Sequence, residues 1–207
     1  MVDGLGDTVV SYKIGLQLLP LGGAEFGQRL KAQGKNVFYD FKLHDIDATV
    51  EKATRSISTL GADFLTVHAR PDVMAAAAKG KGNSGLKVLG VTVLTSLDQQ
   101  ALDDIGYYMS AEEIVMRRVA QAIEAGIDGV VSSPLEAREI RNQVPSDFLI
   151  VTPGVRLAGA DKGDQKRVST PGDAIGAGAS HIVVGRPITQ ADNPRVAAIN
   201  ITKNMQT

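Results

Sequence analysis

The most informative stretch of this 207-residue chain is Val37-Phe38-Tyr39-Asp40-Phe41-Lys42-Leu43-His44-Asp45. Its first part, Val37–Phe41, is a short run rich in apolar and aromatic residues, which is typical of a buried strand in a parallel sheet. Charged residues stand in the last part of this run and just after it. The stretch therefore predicts a buried strand that carries charged side chains at its carboxyl end.

Six more short apolar runs have the same character, and longer stretches with helical spacing separate them. The six runs are Val9–Gly15, Phe64–His68, Lys87–Thr92, Gly129–Ser132, Leu149–Thr152 and His181–Val184. Residues Ala111–Ala125 place apolar side chains three and four positions apart, as one face of a helix requires. This alternation of strands and helices predicts βα units and a parallel sheet.

Polar residues occur at or after the ends of many strands, and this distribution distinguishes between two parallel α/β architectures. They are Lys13, Asp40 with Lys42, His68, Thr95 with Ser96, Ser132, Thr152 with Arg156, and Gly185 with Arg186. An open, doubly wound sheet concentrates such residues at one switch point, whereas a barrel gathers them from many strand ends. We therefore predict an α/β fold, a TIM (β/α)8 barrel, formed as one domain by residues 1–207.

The sequence contains one apolar run fewer than the eight strands of such a barrel. Residues Met1–Asp7 have the pattern of a helix end and lead directly into the first run. A barrel without its first strand would expose two strand edges and open its core to water. We therefore expect the missing strand to lie upstream of Met1.

Charge and composition argue against several classes of function. Lys and Arg total 22 against 23 Asp and Glu, so the net charge of −1 gives no field that attracts nucleic acid or an anionic membrane. The chain has no Cys, which excludes disulfides, thiolate zinc sites and a cysteine nucleophile. It also lacks an apolar stretch near the ~18 residues of a membrane span. We expect a cytoplasmic protein that binds neither nucleic acid nor membrane.

The first group of candidate catalytic residues comprises Lys13, Asp40, Lys42 and Asp45. Asp40 and Lys42 are two positions apart, so on a regular strand their side chains share a face. Lys13 stands among apolar neighbours in the preceding strand, and a buried ammonium group requires a carboxylate partner. Two lysines and two carboxylates would make a mutually neutral array. The alternative is structural: Asp40 and Lys42 form a strand-end ion pair. On that alternative, Asp45 or Asp47 caps the next helix.

A second group of candidate residues follows the last two strands. Arg156 ends the segment Thr152-Pro153-Gly154-Val155-Arg156, and the glycine-rich, polar stretch 158–167 after it is a candidate lid. Gly185 and Arg186 follow the final apolar run. In barrels the loops after the last two strands commonly bind phosphate, because glycine lets the backbone approach the anion and arginine offers a forked set of donors. We predict a phosphate site here.

Five motifs together resemble those of the orotidine 5′-phosphate decarboxylase family, in order and over nearly the whole chain. They are Asp40-x-Lys42-x-x-Asp45 with Thr49, Val93-Leu94-Thr95-Ser96, Thr152-Pro153-Gly154-Val155-Arg156, Gly163-Asp164-Gln165 and Gly185-Arg186-Pro187. The resemblance implies a lyase that converts orotidine 5′-phosphate to UMP in pyrimidine biosynthesis without a metal ion or other cofactor. It also implies a homodimer whose two sites lie at the subunit interface, with Asp45 and Thr49 acting in the partner's site.

The reaction leaves a carbanion at C6 of the pyrimidine, and the sequence has no cofactor motif that could accept its electrons. Fixed charge must then stabilise it, so we assign Lys42 to stabilise the developing charge and to donate the proton. By resemblance, Asp40 lies nearest the substrate carboxylate, and Lys13 holds Asp40 and contacts the ribose. The substrate-binding residues that the resemblance implies are Thr95 at the pyrimidine edge, and Arg156, Gln165, Gly185 and Arg186 at the phosphate.

Two other functions stay open at this point. If the first strand is absent from the natural protein, the chain could be a catalytically impaired barrel that only binds a nucleotide or sugar phosphate. The chain could also be a related metal-dependent sugar-phosphate decarboxylase or aldolase. That enzyme needs an additional acidic ligand near Lys13, and residues Ile14–Gln17 offer none.

Overall fold

The computed structural model describes residues 1–157 and 169–206, and the chain alternates between strands and helices along them. The strands are β1 (Ser11–Gly15), β2 (Asn36–Leu43), β3 (Phe64–His68), β4 (Lys87–Val91), β5 (Gly129–Val131), β6 (Leu149–Thr152) and β7 (His181–Ile182). The helices are α1 (Val2–Leu5), α2 (Gly23–Ala32), α3 (Asp47–Thr59), α4 (Pro71–Lys81), α5 (Gln99–Asp104), α6 (Ala111–Glu124), α7 (Ala137–Gln143), α8 (Pro171–Gly176), α9 (Arg186–Thr189) and α10 (Pro194–Asn204). Short 3-10 turns occupy Gly6–Thr8 and Leu19–Leu21.

The order of the strands in the sheet is their order in the chain. Over the described residues the sheet has seven strands, arranged from β1 to β7 without a reversal. The pairs β1–β2, β2–β3, β3–β4 and β6–β7 are parallel. A doubly wound sheet reverses its strand order at a switch point, whereas a (β/α)8 barrel keeps the order of the chain. The observed order is that of a barrel, and each predicted apolar run overlaps one strand.

The described residues group into two compact units. The Lys42 unit, as we name it, comprises Val10–Val91 and Arg118–Val130. The Arg186 unit comprises Met1–Val9, Thr92–Arg117 and Val131–Thr207. A single domain over residues 1–207 stays a prediction.

The core of the Lys42 unit consists of apolar side chains from β1 to β4 and from the helices between them. The fully or almost fully buried strand residues are Ile14, Val37, Tyr39, Leu65, Val67, Val88 and Leu89. Helices α3 and α4 pack closely where Gly80 faces the other helix, because a Cβ atom there would lie 2.4 Å from the backbone oxygen of Glu51. The apolar runs that predicted strands are therefore the runs that form this core.

Two aspartates fix the amino ends of strands in the Lys42 unit. The Asp63 carboxylate accepts the backbone N–H of Val37 at 2.7 Å, and the Asp128 carboxylate accepts that of Val88 at 2.9 Å. Asp128 follows Gly126, whose φ of 70° ends helix α6 in the left-handed region that favours glycine. These carboxylates hold each strand to its neighbour at the end opposite to the candidate site.

The Arg186 unit has its own small apolar cluster and capped helices. The cluster comprises Val155, Ala174, Ala179, Ile175, Ile182 and Val184. The Thr170 side chain accepts the backbone N–H of Asp173 at the start of α8, and Asn193 does the same for Val196 at the start of α10. None of the helices within the described ranges combines the length and apolar character needed to cross a membrane.

Candidate active site

The structure brings Lys13, Asp40 and Lys42 into direct contact in the Lys42 unit. The Lys13 ammonium group donates to Asp40 Oδ2 at 2.9 Å, and the Lys42 ammonium group donates to Asp40 Oδ1 at 2.8 Å. Lys13 lies on β1, and the other two residues lie on β2. We call these three residues the Asp40 array. One carboxylate thus pairs with two ammonium groups at the carboxyl ends of neighbouring strands.

Strand β2 is bulged where the array forms. Tyr39 lies opposite Leu65 of β3 and Leu43 lies opposite Val67, so three residues of β2 face a single residue of β3. Lys42 has a φ of 49°, and among the described residues it is the one non-glycine residue with a positive φ. The regular two-residue alternation that we expected for Asp40 and Lys42 is therefore interrupted. Their side chains meet within a bulge, a device that re-aims side chains near active sites.

Thr66 is the β3 residue opposite this bulge, and the sequence analysis missed it. Its hydroxyl group donates to Asp40 Oδ1 at 2.9 Å and accepts the backbone N–H of Lys42 at 3.0 Å. Thr66 has no exposed surface. Its signal in the sequence was a hydroxyl in the middle of the apolar run Phe64-Leu65-Thr66-Val67-His68.

Charge and burial act in opposite directions on Asp40. Burial by itself raises the pKa of the Asp40 carboxyl group, but the Lys13 and Lys42 ammonium groups together bring that pKa below its ordinary value. The exposed side-chain fraction is 14% for Asp40, 28% for Lys42 and 34% for Lys13. At neutral pH the Asp40 array therefore carries one net positive charge, and its two ammonium groups are accessible to an anionic substrate.

Asp45 and Thr49 do not join the Asp40 array within one chain. Asp45 is exposed, and its carboxylate accepts the backbone N–H of Ile46 at 2.7 Å. Over the described part of the chain, no ion pair links Asp45 to a lysine. Thr49 lies exposed in the first turn of α3. The neutral array of two lysines and two carboxylates is therefore incomplete in a single chain.

The proposed capping role of Asp45 or Asp47 is wrong. The N-cap residue of α3 is Ile46, and no side chain caps this helix end. Asp47 is already the first residue of the helix. The structural alternative for these two carboxylates thus loses its basis, since neither side chain satisfies the free N–H groups of the first turn.

Two histidines and an arginine lie beside the Asp40 array. The rings of His44 and His68 are 4.8 Å apart between centroids, and Arg70 Nη1 lies 3.1 Å from His44 Nε2. Burial lowers the pKa of His68, and the charges of His44, Arg118 and Lys42 lower it further. His68 is therefore uncharged at neutral pH and adds no positive charge beside Lys42.

Thr95 and Arg156 belong to the Arg186 unit. Thr95 is buried in the segment between β4 and α5, with 8% of its surface exposed. Arg156 follows β6, and its backbone N–H donates to the Ser169 carbonyl at 2.9 Å. Its guanidinium group donates to the carbonyl of Val155, also at 2.9 Å. Both residues lie just beyond the carboxyl end of a strand, as predicted.

Gly185 and Arg186 lie where β7 gives way to helix α9. Arg186 is the first residue of α9, and both residues are exposed. A Cβ atom added to Gly185 would meet no atom of residues 1–157 or 169–206 within 4 Å. Gln165 and the predicted lid 158–167 lie outside the described residues.

A metal site needs several ligating side chains close together. Within residues 1–157 and 169–206, no three His, Cys, Asp or Glu side chains are grouped so that they could hold a metal ion. A reaction without metal ion or other cofactor stays a prediction.

Comparison with known proteins places this geometry in a family. A sequence description of the orotidine 5′-phosphate decarboxylase / HUMPS family matches residues 1–201. The orotidine 5′-phosphate decarboxylase of Caulobacter sp. (strain K31) is 56% identical over 99% of this chain and 90% of its own. The enzyme of the same name from Caulobacter vibrioides (strain NA1000 / CB15N) is 54% identical, again over 99% of this chain and 90% of its own.

The comparison of structures agrees with the comparison of sequences. The crystal structure of orotidine 5′-phosphate decarboxylase from Lactobacillus acidophilus superposes with a TM-score of 0.82 at 35% identity, over 94% of this chain and 86% of that one. Together with the strand order, this confirms the predicted fold class, a (β/α)8 barrel represented by seven strands in the described residues. The expected strand upstream of Met1 stays a prediction. This chain belongs to the orotidine 5′-phosphate decarboxylase / HUMPS family.

Proposed function

We propose that Lys42 stabilises and then protonates the C6 carbanion when this chain decarboxylates orotidine 5′-phosphate to UMP, the reaction of pyrimidine biosynthesis. The activity follows from family membership, because relatives more than half identical over nearly the whole chain are named orotidine 5′-phosphate decarboxylases. The observation that carries the role of Lys42 is its ammonium group, held 2.8 Å from Asp40 Oδ1 and still accessible.

Fixed charge provides the stabilisation that an electron-accepting cofactor would otherwise provide. A preorganised ammonium group stabilises charge that develops in the transition state, and it costs no reorganisation at that moment. In this proposal Asp40 keeps Lys42 charged and oriented, and it lies nearest the carboxylate that leaves as carbon dioxide. Lys13 holds the other oxygen of Asp40 and contacts the ribose. After carbon dioxide departs, the electron pair at C6 takes a proton from the Lys42 ammonium group.

The phosphate of the substrate would bind to the Arg186 unit. No described residue would contact a Cβ atom at Gly185, which allows the backbone to approach an anion, and the neighbouring Arg186 is exposed. We assign Arg156 and Gln165 to the same phosphate and Thr95 to the pyrimidine edge, as the family resemblance implies.

Phosphate binding far from C6 can also accelerate the reaction, because remote binding energy can be used at the reacting centre. Arg186→Ala should therefore raise KM and also lower kcat, which steady-state kinetics separates. A loss confined to KM would show that the phosphate contributes to affinity alone. Thr202→Ala is the control. Thr202 is exposed near the carboxyl end of α10 and is distant in sequence from every assigned residue.

Asp45 and Thr49 complete the site if two chains associate. Both residues are exposed in this chain and flank Ile46, whose side chain is also exposed. We propose a homodimer in the cytoplasm in which the Asp45 carboxylate of each chain enters the other chain's site. Lys42→Ala and Asp45→Asn dimers should each be inactive, and mixing them should restore activity because half of the exchanged dimers contain one intact site. About a quarter of wild-type activity is the statistical limit, and no recovery after exchange would contradict a shared site.

The two alternative functions are less well supported. The family description joins two names, and the two Caulobacter relatives carry the decarboxylase name. A protein that only binds nucleotides would not need Lys42 held beside Asp40 in a strained backbone conformation. Activity that persists in EDTA would separate the proposed reaction from a metal-dependent one.

The deciding experiment compares Lys42→Ala with the wild type. The loss of orotidine 5′-phosphate absorbance measures turnover, and calorimetry with UMP measures binding. We expect turnover to fall by at least about a thousandfold while UMP binding is largely kept, because the ammonium group acts on charge that UMP lacks. Near-normal turnover in Lys42→Ala would overturn the assignment, and wild-type protein that binds UMP without turnover would establish the binding-only alternative.

A further inference from the structure

We propose that Thr66 is a positioning residue for the reaction, whose hydroxyl group fixes the Asp40 carboxylate and the Lys42 backbone relative to each other. This inference rests on the proposed roles of Lys42 and Asp40. Thr66 has no exposed surface, so it acts through these two residues and does not touch the substrate.

The first step concerns the carboxylate. Asp40 Oδ2 accepts from Lys13, while Asp40 Oδ1 accepts from both Lys42 and Thr66. A lysine ammonium group sits on a flexible four-carbon chain, so its position depends on its acceptor. The Thr66 hydroxyl group is the uncharged donor in this set, and it comes from the rigid middle of strand β3. Thr66 thereby anchors the acceptor that places the Lys42 ammonium group.

The second step concerns the backbone of Lys42. The bulge interrupts the regular pairing of β2 with β3, and the Lys42 N–H donates to the Thr66 hydroxyl oxygen at 3.0 Å. Lys42 also has a φ of 49°, a conformation that costs energy for a residue with a Cβ atom. The hydrogen bond from its N–H is a contact that holds this conformation.

The third step concerns the direction of the hydroxyl hydrogen. The Lys42 N–H donates to a lone pair of the Thr66 hydroxyl oxygen. The hydroxyl hydrogen of Thr66 therefore points at Asp40 Oδ1. Only a side chain that donates and accepts at one atom can make both bonds. The β-branched threonine further restricts this oxygen to few rotamers. Serine keeps the two bonds with more freedom, whereas valine keeps the shape and loses both.

The test compares Thr66→Val with Thr66→Ser in the full-length protein. We expect kcat to fall about 10- to 100-fold in Thr66→Val, by analogy with the loss seen when a hydrogen bond that orients a metal ligand is removed. The Kd for UMP should stay within about threefold, and Thr66→Ser should recover kcat to within about threefold of wild type. Thr54→Val is the matched control, because Thr54 is also fully buried in the Lys42 unit and its hydroxyl group has no hydrogen-bond partner among the described residues.

Several outcomes would overturn the inference. Wild-type kcat in Thr66→Val would do so, and so would a loss of UMP affinity as large as the loss of kcat. If Thr66→Val does not fold, the rates of Thr66→Ser and Thr66→Ala are compared instead. These two variants differ by a single oxygen atom, so a difference in rate reports on the hydroxyl group. An alanine variant at least about tenfold slower than the serine variant supports the positioning role, and equal rates refute it.

Lys42→Ala, measured alongside, separates this inference from the proposed function. Retained turnover in Lys42→Ala would remove the role of Lys42 whatever Thr66 does. Loss of turnover in Lys42→Ala together with full turnover in Thr66→Val would contradict only the role of Thr66.

Discussion

The Lys42 unit contains a second carboxylate with two lysine partners, and it differs from the Asp40 array in what its carboxylate holds. The Asp128 array, as we name it, consists of Lys81, Asp128 and Lys87. The two aspartates are equally shielded, with 13% of the Asp128 side chain and 14% of the Asp40 side chain exposed. In both, burial acts to raise the carboxyl pKa and the two lysines bring it below the ordinary value; at Asp128 the hydrogen bond from the Val88 backbone N–H lowers the pKa as well.

The two arrays differ in how they involve the backbone. The Asp128 carboxylate accepts a hydrogen bond from the backbone N–H of Val88, which fixes the amino end of β4. Asp40 instead accepts from the side chains of Lys13, Lys42 and Thr66, and Lys42 has a left-handed backbone. Both arrays combine one aspartate with two lysines. The Asp128 array stabilises the sheet at its amino edge, whereas the Asp40 array is a strained, accessible group at its carboxyl edge. Strain that persists at one site and not at a chemically similar one supports the proposal that the Asp40 array is the functional site.

The largest expected difference between the arrays is in turnover. Asp40→Asn should lower kcat by at least about 100-fold, because it removes the negative charge that orients the Lys42 ammonium group. Asp128→Asn should keep kcat within about threefold, since it changes a group at the opposite edge of the sheet. Steady-state kinetics on orotidine 5′-phosphate measures both values. A comparable loss of kcat in the two variants would show that the Asp40 array is merely a second structural ion cluster.

The second expected difference is in stability, where the Asp128 variant should be affected more than the Asp40 variant. Asp128→Asn should reduce the free energy of unfolding by about 2 kcal/mol at neutral pH, because it weakens charged hydrogen bonds to two lysines and to the Val88 N–H. Urea unfolding measures this value. Asp40→Asn should cost less, since its two lysine partners are partly exposed and can turn toward water. A larger loss of stability in Asp40→Asn than in Asp128→Asn would contradict the structural role of Asp128.

The effect of Asp128 on stability should also depend on pH with a defined sign. Its folded-state pKa lies below the ordinary value of 3.8, so its contribution is present above that value and is lost as pH falls through the folded-state pKa. The difference in unfolding free energy between wild type and Asp128→Asn should therefore shrink between about pH 6 and about pH 3. A difference that stays constant over this range would show that the charge of Asp128 does not contribute.

The strands, their order and the Asp40 array were accessible from the sequence for a simple physical reason. Buried parallel strands are short apolar runs, so a charged residue inside one, such as Lys13, requires a partner from a neighbouring strand. Asp40 was the carboxylate available at the matching strand end. The predicted helix Ala111–Ala125 likewise matches α6 to within one residue, because its apolar spacing is regular.

The bulge at Lys42 and the contacts of Thr66 could not be predicted in the same way. A bulge changes the strand period locally, and no glycine marks this one, because Lys42 itself adopts the left-handed backbone. Thr66 reads as a polar residue within a strand, and its partners become visible only when the register of β2 against β3 is known. The role of Asp45 could be derived neither from the sequence pattern nor from the structure of one chain, because its proposed partner is on a second chain.

The smallest expected effect tests the backbone difference between the arrays directly. Lys42→Gly and Lys42→Ala both remove the ammonium group, so both should lose turnover. Their stabilities should differ, because the left-handed φ of 49° costs alanine about 1–2 kcal/mol that glycine avoids. Glycine loses more backbone entropy on folding, about 0.5–1 kcal/mol, which leaves the glycine variant more stable by about 1 kcal/mol in urea unfolding.

Lys87 of the Asp128 array provides the matched control for this difference. It begins strand β4, and its φ is not positive, since Lys42 is the one described non-glycine residue with a positive φ. Lys87→Gly should therefore be less stable than Lys87→Ala, by about 0.5–1 kcal/mol. The sign of the glycine-minus-alanine difference should thus reverse between the two lysines. If alanine is the more stable residue at both positions, the backbone of Lys42 is not strained, and the contrast between the arrays reduces to their place in the sheet.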